Sequence, residues 1–229
     1  MPTRSLRARK QPRQARSRET VEALLEAAAQ VFERHGYAAG TTNRIAARAG
    51  VSIGSLYQYF PSKDAILLAL VERHVAEAEA ALVPLARWLA GAPPPTADAD
   101  ARPEATGAAP SLRDGLQALV AAMVALHAER PGLHRVLFEE APRPPALRRR
   151  LDGLSTQAAD AIAAWLRACP EVRVADPDLA ARLVVQTVES ITHTLVIHPA
   201  ADRPPAAWTA ATVDMLAAYL AAASVTVAR

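Results

Sequence analysis

Apolar positions recur at three- and four-residue spacing almost from the start of the chain. Val21, Leu24, Leu25, Ala28, Val31 and Phe32 fall on one stripe, so a first helix is predicted over 17–35, with Ser17 as its cap and Gly36 just past its end. Two short helices follow, at 42–49 and 53–59, and Pro61 biases Phe60 away from helical geometry. Ser62 then offers a cap for a long helix reaching about residue 90, in which Pro84 predicts a kink or an early break. Residues 91–111 hold no Val, Ile, Leu, Met, Phe, Trp or Tyr and 5 of the chain's 18 prolines, which predicts a flexible loop. Beyond it the pattern predicts helices at 112–129, 133–140, 146–168, 177–197 and 206–227, each bounded by Pro or Gly. There is no internal repeat and no convincing strand pattern.

The 229 residues suffice for one or two domains, and a composition 51% hydrophobic but 4% aromatic suits an all-α protein. No stretch free of Asp, Glu, Lys and Arg exceeds 14 residues, too short for a bilayer span, and the start lacks the apolar core of a secretory signal; a cytoplasmic protein is expected. The single cysteine, Cys169, excludes an internal disulfide and a multi-cysteine metal site. With six histidines and no recognised metal-ligand motif, neither a metal nor another cofactor is expected. No catalytic elbow or phosphate-cradling glycine loop is present, so an enzyme is not expected.

Charge divides the chain. Residues 1–63 carry 11 Arg or Lys against 4 Asp or Glu, whereas residues 64–229 carry 15 against 19. The stretch Thr3–Arg18 is rich in arginine and has one large apolar residue, Leu6, which favours a nucleic-acid partner over a membrane surface.

The segment from Thr42 to Phe60 meets the demands of a helix-turn-helix. Ala46 is small enough for a close helix crossing, Gly50 allows the sharp turn, and Ile45, Val51 and Leu56 can face inward. The second helix would start at Ser52 and expose Ser52, Ile53, Gly54 and Ser55, short enough at a helix end to approach base edges in a major groove. An ordinary helical hairpin is the alternative. Lys63 begins a helix, where the helix dipole disfavours a cation unless an anion is bound, so a phosphate contact is expected there. Tyr57 and Tyr59 can place phenol hydroxyls on the backbone or simply fill space; Thr41 and Thr42 can donate to a phosphate or act as plain caps. Arg13, Arg16 and Arg18 are expected to add salt-dependent affinity and minor-groove contact.

These landmarks, from Ala27-Ala28 and Phe32 through Gly36-Tyr37, Thr41-Thr42, Ile45-Ala46, Ala49-Gly50-Val51-Ser52, Gly54, Leu56-Tyr57 and Tyr59-Phe60 to Lys63, resemble the DNA-binding region of the TetR family of bacterial transcriptional regulators. A looser likeness to AcrR-like members covers residues 130–142. The resemblance implies a homodimer that binds a double-stranded DNA operator, usually as a repressor, and is released by a small molecule. It implies DNA contacts for Thr42, Ser52, Gly54 and Tyr57 and a phosphate contact for Lys63; Gln58 stands at a variable place, so the sequence read does not transfer.

The expected organisation is therefore a basic arm (1–16), a three-helix DNA-binding module with the helix-turn-helix (17–63), and a larger helical ligand-binding and dimerisation bundle (64–229). A pocket for a small apolar or amphipathic effector is expected among Met123, His127, Phe138 and Trp165. The wide apolar arcs of the last two helices predict a dimer interface of Leu183, Val188, Ile191, Leu195, Trp208, Met215, Leu216 and Tyr219. The competing reading is a helical small-molecule-binding protein or enzyme in which the basic module is incidental.

Overall fold

A computed structural model describes residues 15–92, 109–140, 144–198 and 204–222, and among these every regular element is helical. Helix α1 (Ala15–Ala39) buries Leu24, Leu25, Ala28, Val31 and Phe32 of the predicted stripe, and Val21 at its start is half-buried. Its regular part stops at Gly36, whose φ of 70° and ψ of 173° suit glycine and strain any residue with a Cβ. Ser17 does not cap this helix, because α1 has already begun; its hydroxyl instead lies 3.2 Å from that of Tyr59.

The short helices α2 (Thr42–Arg48) and α3 (Ile53–Tyr59) are capped by Thr41 and Ser52, whose side chains accept from the amides of Arg44 and Ser55. Phe60 is extended, as a residue before proline should be, and ends α3. The Ser62 hydroxyl accepts from the amide of Ala65 at 3.2 Å and opens α4 (Lys63–Leu89). That helix continues through Pro84 rather than ending there, because Pro84 lies on an exposed stretch where one lost backbone bond is tolerated.

After the predicted loop, of which 93–108 lie outside the described residues, Ser111 caps α5 (Leu112–Ala128). The segment expected as one helix over 133–140 is two pieces, α6 (Pro131–Arg135) and a π-helical turn over Val136–Glu140. Then come α7 (Pro145–Ala168), α8 (Pro177–Ile197) capped by Asp176, and α9 (Pro205–Ala221).

Two compact units result, and their boundary does not follow the linear division at 63/64. One unit takes the chain up to Glu77 together with Arg130–Leu147; the other takes Ala78–Glu129 and everything from Arg148. The segment 130–140 joins the first unit because it buries Leu133, Val136 and Leu137 and because α6 and the π-turn pack on α1. Polar contacts reinforce this. Arg130 reaches Glu26 at 3.1 Å and Glu33 at 3.5 Å, and the Tyr37 amide donates to Glu140 Oε2 at 2.7 Å.

Burial raises the pKa of Glu26, but the hydrogen bond from Gln30 and the charges of Arg130 and Arg73 outweigh it and hold the carboxyl below its usual 4.5. A depressed folded value means that this contribution to stability is complete above the unfolded pKa and is lost as pH falls through the folded one. Glu26→Gln is therefore expected to flatten the acid limb of the stability curve below about pH 4.5; equal acid dependence in the two proteins would contradict it.

The second unit is built around α5, which packs on α8 and α9. Its core joins Leu116, Leu119 and Val120 of α5 to Ile162, Trp165 and Leu166 of α7, Val184 and Val188 of α8, and Val213, Leu216 and Leu220 of α9. Gly115 makes room for the Trp165 ring, since a Cβ there would lie 2.2 Å from Cζ2.

Candidate nucleic-acid interface

The α2–α3 pair is a rigid frame with one open face. Ile45, Ala46 and Leu56 are buried, Gly50 turns the chain at φ 68°, and the Val51 amide donates to the Ala46 carbonyl at 3.0 Å. Ser52, Ile53 and Gly54 at the start of α3 are exposed, with Ile53 at 38%. Ser55 is half-buried, and its hydroxyl lies 2.9 Å from that of Ser52. Both serine hydroxyls therefore help close the helix start, leaving Ile53 and the bare backbone at Gly54 as the outermost surface.

Tyr57 and Gln58 are exposed. The Tyr57 hydroxyl shares a hydrogen bond with Thr42 Oγ1 at 3.1 Å, which draws the two predicted contact residues into one polar edge. Thr41 is exposed, and its side chain serves the cap. Tyr59 departs from the expectation of a contact residue: it is half-buried and its hydroxyl is turned toward Ser17.

Lys63 differs as well. Its ammonium donates to the carbonyls of Tyr37 at 2.6 Å and Ala38 at 3.4 Å and sits 3.9 Å above the Tyr37 ring. Carbonyls at the end of α1 and the aromatic face thus neutralise the cation at this helix start, and no phosphate is needed to explain it. The Tyr37 hydroxyl in turn donates to Asp64, and burial together with that carboxylate raises its pKa well above the ordinary phenol value. Arg18 is exposed on α1; Arg13 and the side chain of Arg16 lie outside the described residues. Sequence reasoning passed over Asn43 and Arg44, both exposed on α2. Their polar character inside the helix-turn-helix segment was the available signal.

The predicted pocket residues are divided between the two units. Phe138 belongs to the first unit, where its ring stacks on His134 at 4.8 Å. In the second unit Met123 packs beside the core, His127 is buried, and Trp165 is 2% exposed within the core itself. An open groove of about 640 Å³ runs instead between α5 and α9, floored by Val120, Val124, Ala210 and Val213, with Arg113 and Asp214 paired at 2.7 Å at one end. The predicted dimer residues also divide. Leu183, Trp208, Met215 and Tyr219 are exposed, joined by Leu179, which the sequence reading omitted; Ile191 is half-buried, and Val188, Leu195 and Leu216 are buried in the chain itself.

Among the described residues, a capped, exposed short helix held on a second one within an all-helical fold is the arrangement of the helix-turn-helix class. Comparison with known proteins makes the assignment narrower. Residues 24–70 match the family described as bacterial regulatory proteins, tetR family, and residues 111–220 match the tetracyclin repressor-like C-terminal domain; the chain belongs to the TetR family. Among curated relatives, the HTH-type transcriptional activator FasR of Mycolicibacterium smegmatis is 52% identical over 52 residues, covering 23% of this chain and 24% of the relative. The A-factor receptor protein of Streptomyces griseus is 37% identical over 67 residues, covering 29% and 24%. The matches thus span about a quarter of these relatives' length. Among solved structures, a TetR-family regulator from Mesorhizobium loti shares the fold with a TM-score of 0.64 at 20% identity, covering 90% of this chain and 98% of that one. FadR of Bacillus subtilis, solved with stearoyl-CoA, gives 0.59 at 18% identity, covering 86% and 97%.

Proposed function

We propose that the chain is a homodimeric transcriptional regulator that sets the N-terminal turn of α3 into the major groove of an operator and acts as a repressor released by a small molecule. The observation that carries the DNA-binding part is the outward, side-chain-poor start of α3 on a buried frame. Ile53, Gly54, Tyr57 and Gln58 face bases and Thr42 faces a phosphate; Ser52 and Ser55 hold the helix end in shape, and Arg18 and Arg44 supply counter-charge. Lys63 acts by fixing the end of α1, with its third N–H available to a phosphate. The exposed stripes Leu179–Leu183 on α8 and Trp208–Met215–Tyr219 on α9 favour a two-fold interface, since such patches on a soluble chain mark association surfaces. A long, amphipathic effector is favoured by the apolar floor of the α5–α9 groove and by the acyl ligand in the FadR structure.

Gly54→Ala separates this reading from a merely structural hairpin. A Cβ at Gly54 would meet only the Ser52 hydroxyl at 3.8 Å, so the variant is expected to fold normally and gain about 0.5–1 kcal/mol of helix stability. In gel shifts with the DNA flanking its own gene it is nonetheless expected to bind at least about tenfold more weakly, because the methyl stands between the helix and the base edges. Equal affinity in the two proteins would reject the placement of α3.

A further inference from the structure

Ile53 is the first residue of α3 and is exposed, and Gly54 beside it brings no side chain. The polar groups of the same helix are engaged with one another or with α2. Ser52 Oγ accepts from the Ser55 amide at 3.0 Å and lies 2.9 Å from Ser55 Oγ, and the Tyr57 hydroxyl lies 3.1 Å from Thr42 Oγ1. A base edge that meets this turn therefore meets an aliphatic side chain that neither donates nor accepts a hydrogen bond. Every base pair presents hydrogen-bonding groups in the major groove, and thymine alone among the four bases adds an apolar one, its 5-methyl. Against that methyl, Ile53 gains buried apolar area; against an amino group or a ring nitrogen it removes water without replacing the hydrogen bond.

We propose that Ile53 determines operator specificity by packing on a thymine 5-methyl group, so that the operator carries a thymine opposite the first turn of α3. The inference rests on the placement of α3 in the major groove and adds which feature of the base is read there. Two properties of the chain suit Ile53 to this task. Leu56, fully buried three residues on, and the Ser52 cap fix how far α3 is rotated and where it starts. The β-branch of Ile53 restricts its own rotamers, so little side-chain freedom is lost on contact. The sequence places Ile53 among the exposed residues with Ser52 and Ser55; the hydroxyl-to-hydroxyl contact of the two serines separates it from them.

The test uses the full-length protein and a DNA duplex that it enriches from a random-sequence library. Each thymine of that duplex is replaced in turn by deoxyuridine, which removes the methyl and keeps the base pair and its O4 acceptor. At one of these positions the wild type is expected to bind about fourfold more weakly, the worth of one buried methyl group. Ile53→Ala, checked for native helicity by circular dichroism, is expected to bind the thymine duplex more weakly and to lose less than about twofold on the same replacement. Gln58→Ala is expected to keep the full uracil penalty. Ile53→Gln, put through a fresh selection, is expected to exchange that thymine for adenine, whose N6 and N7 a glutamine amide reads. A uracil penalty as large in Ile53→Ala as in the wild type overturns the proposal, and so does a wild type indifferent to uracil at every thymine; both leave the DNA-binding reading standing. A library from which no sequence is enriched overturns that reading and this inference with it.

Discussion

Trp165→Ala is expected to destabilise the chain by about 3–5 kcal/mol, a large part of the ~5–15 kcal/mol that separates folded from unfolded states. The ring is 2% exposed, lies in the core that joins α5, α7, α8 and α9, and occupies space that only a glycine at 115 leaves open. Deleting it removes apolar contact and leaves a cavity that the rigid helices around it cannot close. Among the described residues its buried indole N–H has no hydrogen-bond partner, an arrangement that costs about 1–3 kcal/mol. Trp165→Phe, which deletes that donor while keeping most of the ring, is therefore expected to lose far less than Trp165→Ala. Urea unfolding checks both: a lower midpoint at unchanged slope for Ala, with Phe close to wild type. A Trp165→Ala protein as stable as wild type but altered in effector response would return this residue to a ligand pocket.

Leu216→Arg and Met215→Glu, adjacent on α9, are expected to fail in different ways. Leu216 is 3% exposed and packs in the core, so an arginine there buries an unpaired charge and is expected to abolish the folded state rather than produce monomers. Met215 is 51% exposed on the stripe with Trp208 and Tyr219, on the side of α9 away from that core. Met215→Glu is expected to keep the wild-type circular dichroism and melting of a folded chain while sedimenting as a monomer. With it goes operator binding, because two recognition helices spaced about 34–36 Å apart are needed to engage successive major grooves. A dimeric Met215→Glu protein would move the association surface elsewhere.

Most helix positions and caps are legible because they are local; Ser17 and the 133–140 segment are the exceptions. The α1 stripe, the Thr41 and Ser52 caps, the Gly50 turn and the Phe60-Pro61 stop follow from residues within one or two turns of one another, and each stands where the pattern puts it. Contacts between distant segments were not legible. Lys63 satisfies carbonyls of Tyr37 and Ala38, and Tyr59 meets Ser17; neither pairing leaves a trace in local spacing. A wide apolar arc on α8 or α9 told that each helix needs neighbours on more than one side. It did not tell which side meets the chain's own core, so Val188 and Leu216 were grouped with Leu183 and Met215. The place of Phe138 in the first unit is illegible for a related reason: nothing in the period of its own helix shows that Arg130 and Glu140 draw the segment onto α1.

The first unit is discontinuous, and that has a bearing on how the chain is made. Its N-terminal part is synthesised first, yet Leu133, Val136 and Leu137, which cover α1, and Glu140, which holds the turn after it, come more than fifty residues after Glu77. At about 5–20 residues per second, translation from Glu77 to Glu140 takes roughly 3–13 s. Throughout that interval the nascent α1 lacks the cover of α6 and the π-turn and leaves part of its apolar side open to chaperones. A chimera that grafts residues 1–77 onto a foreign effector domain inherits the same gap permanently unless residues 130–147 travel with them.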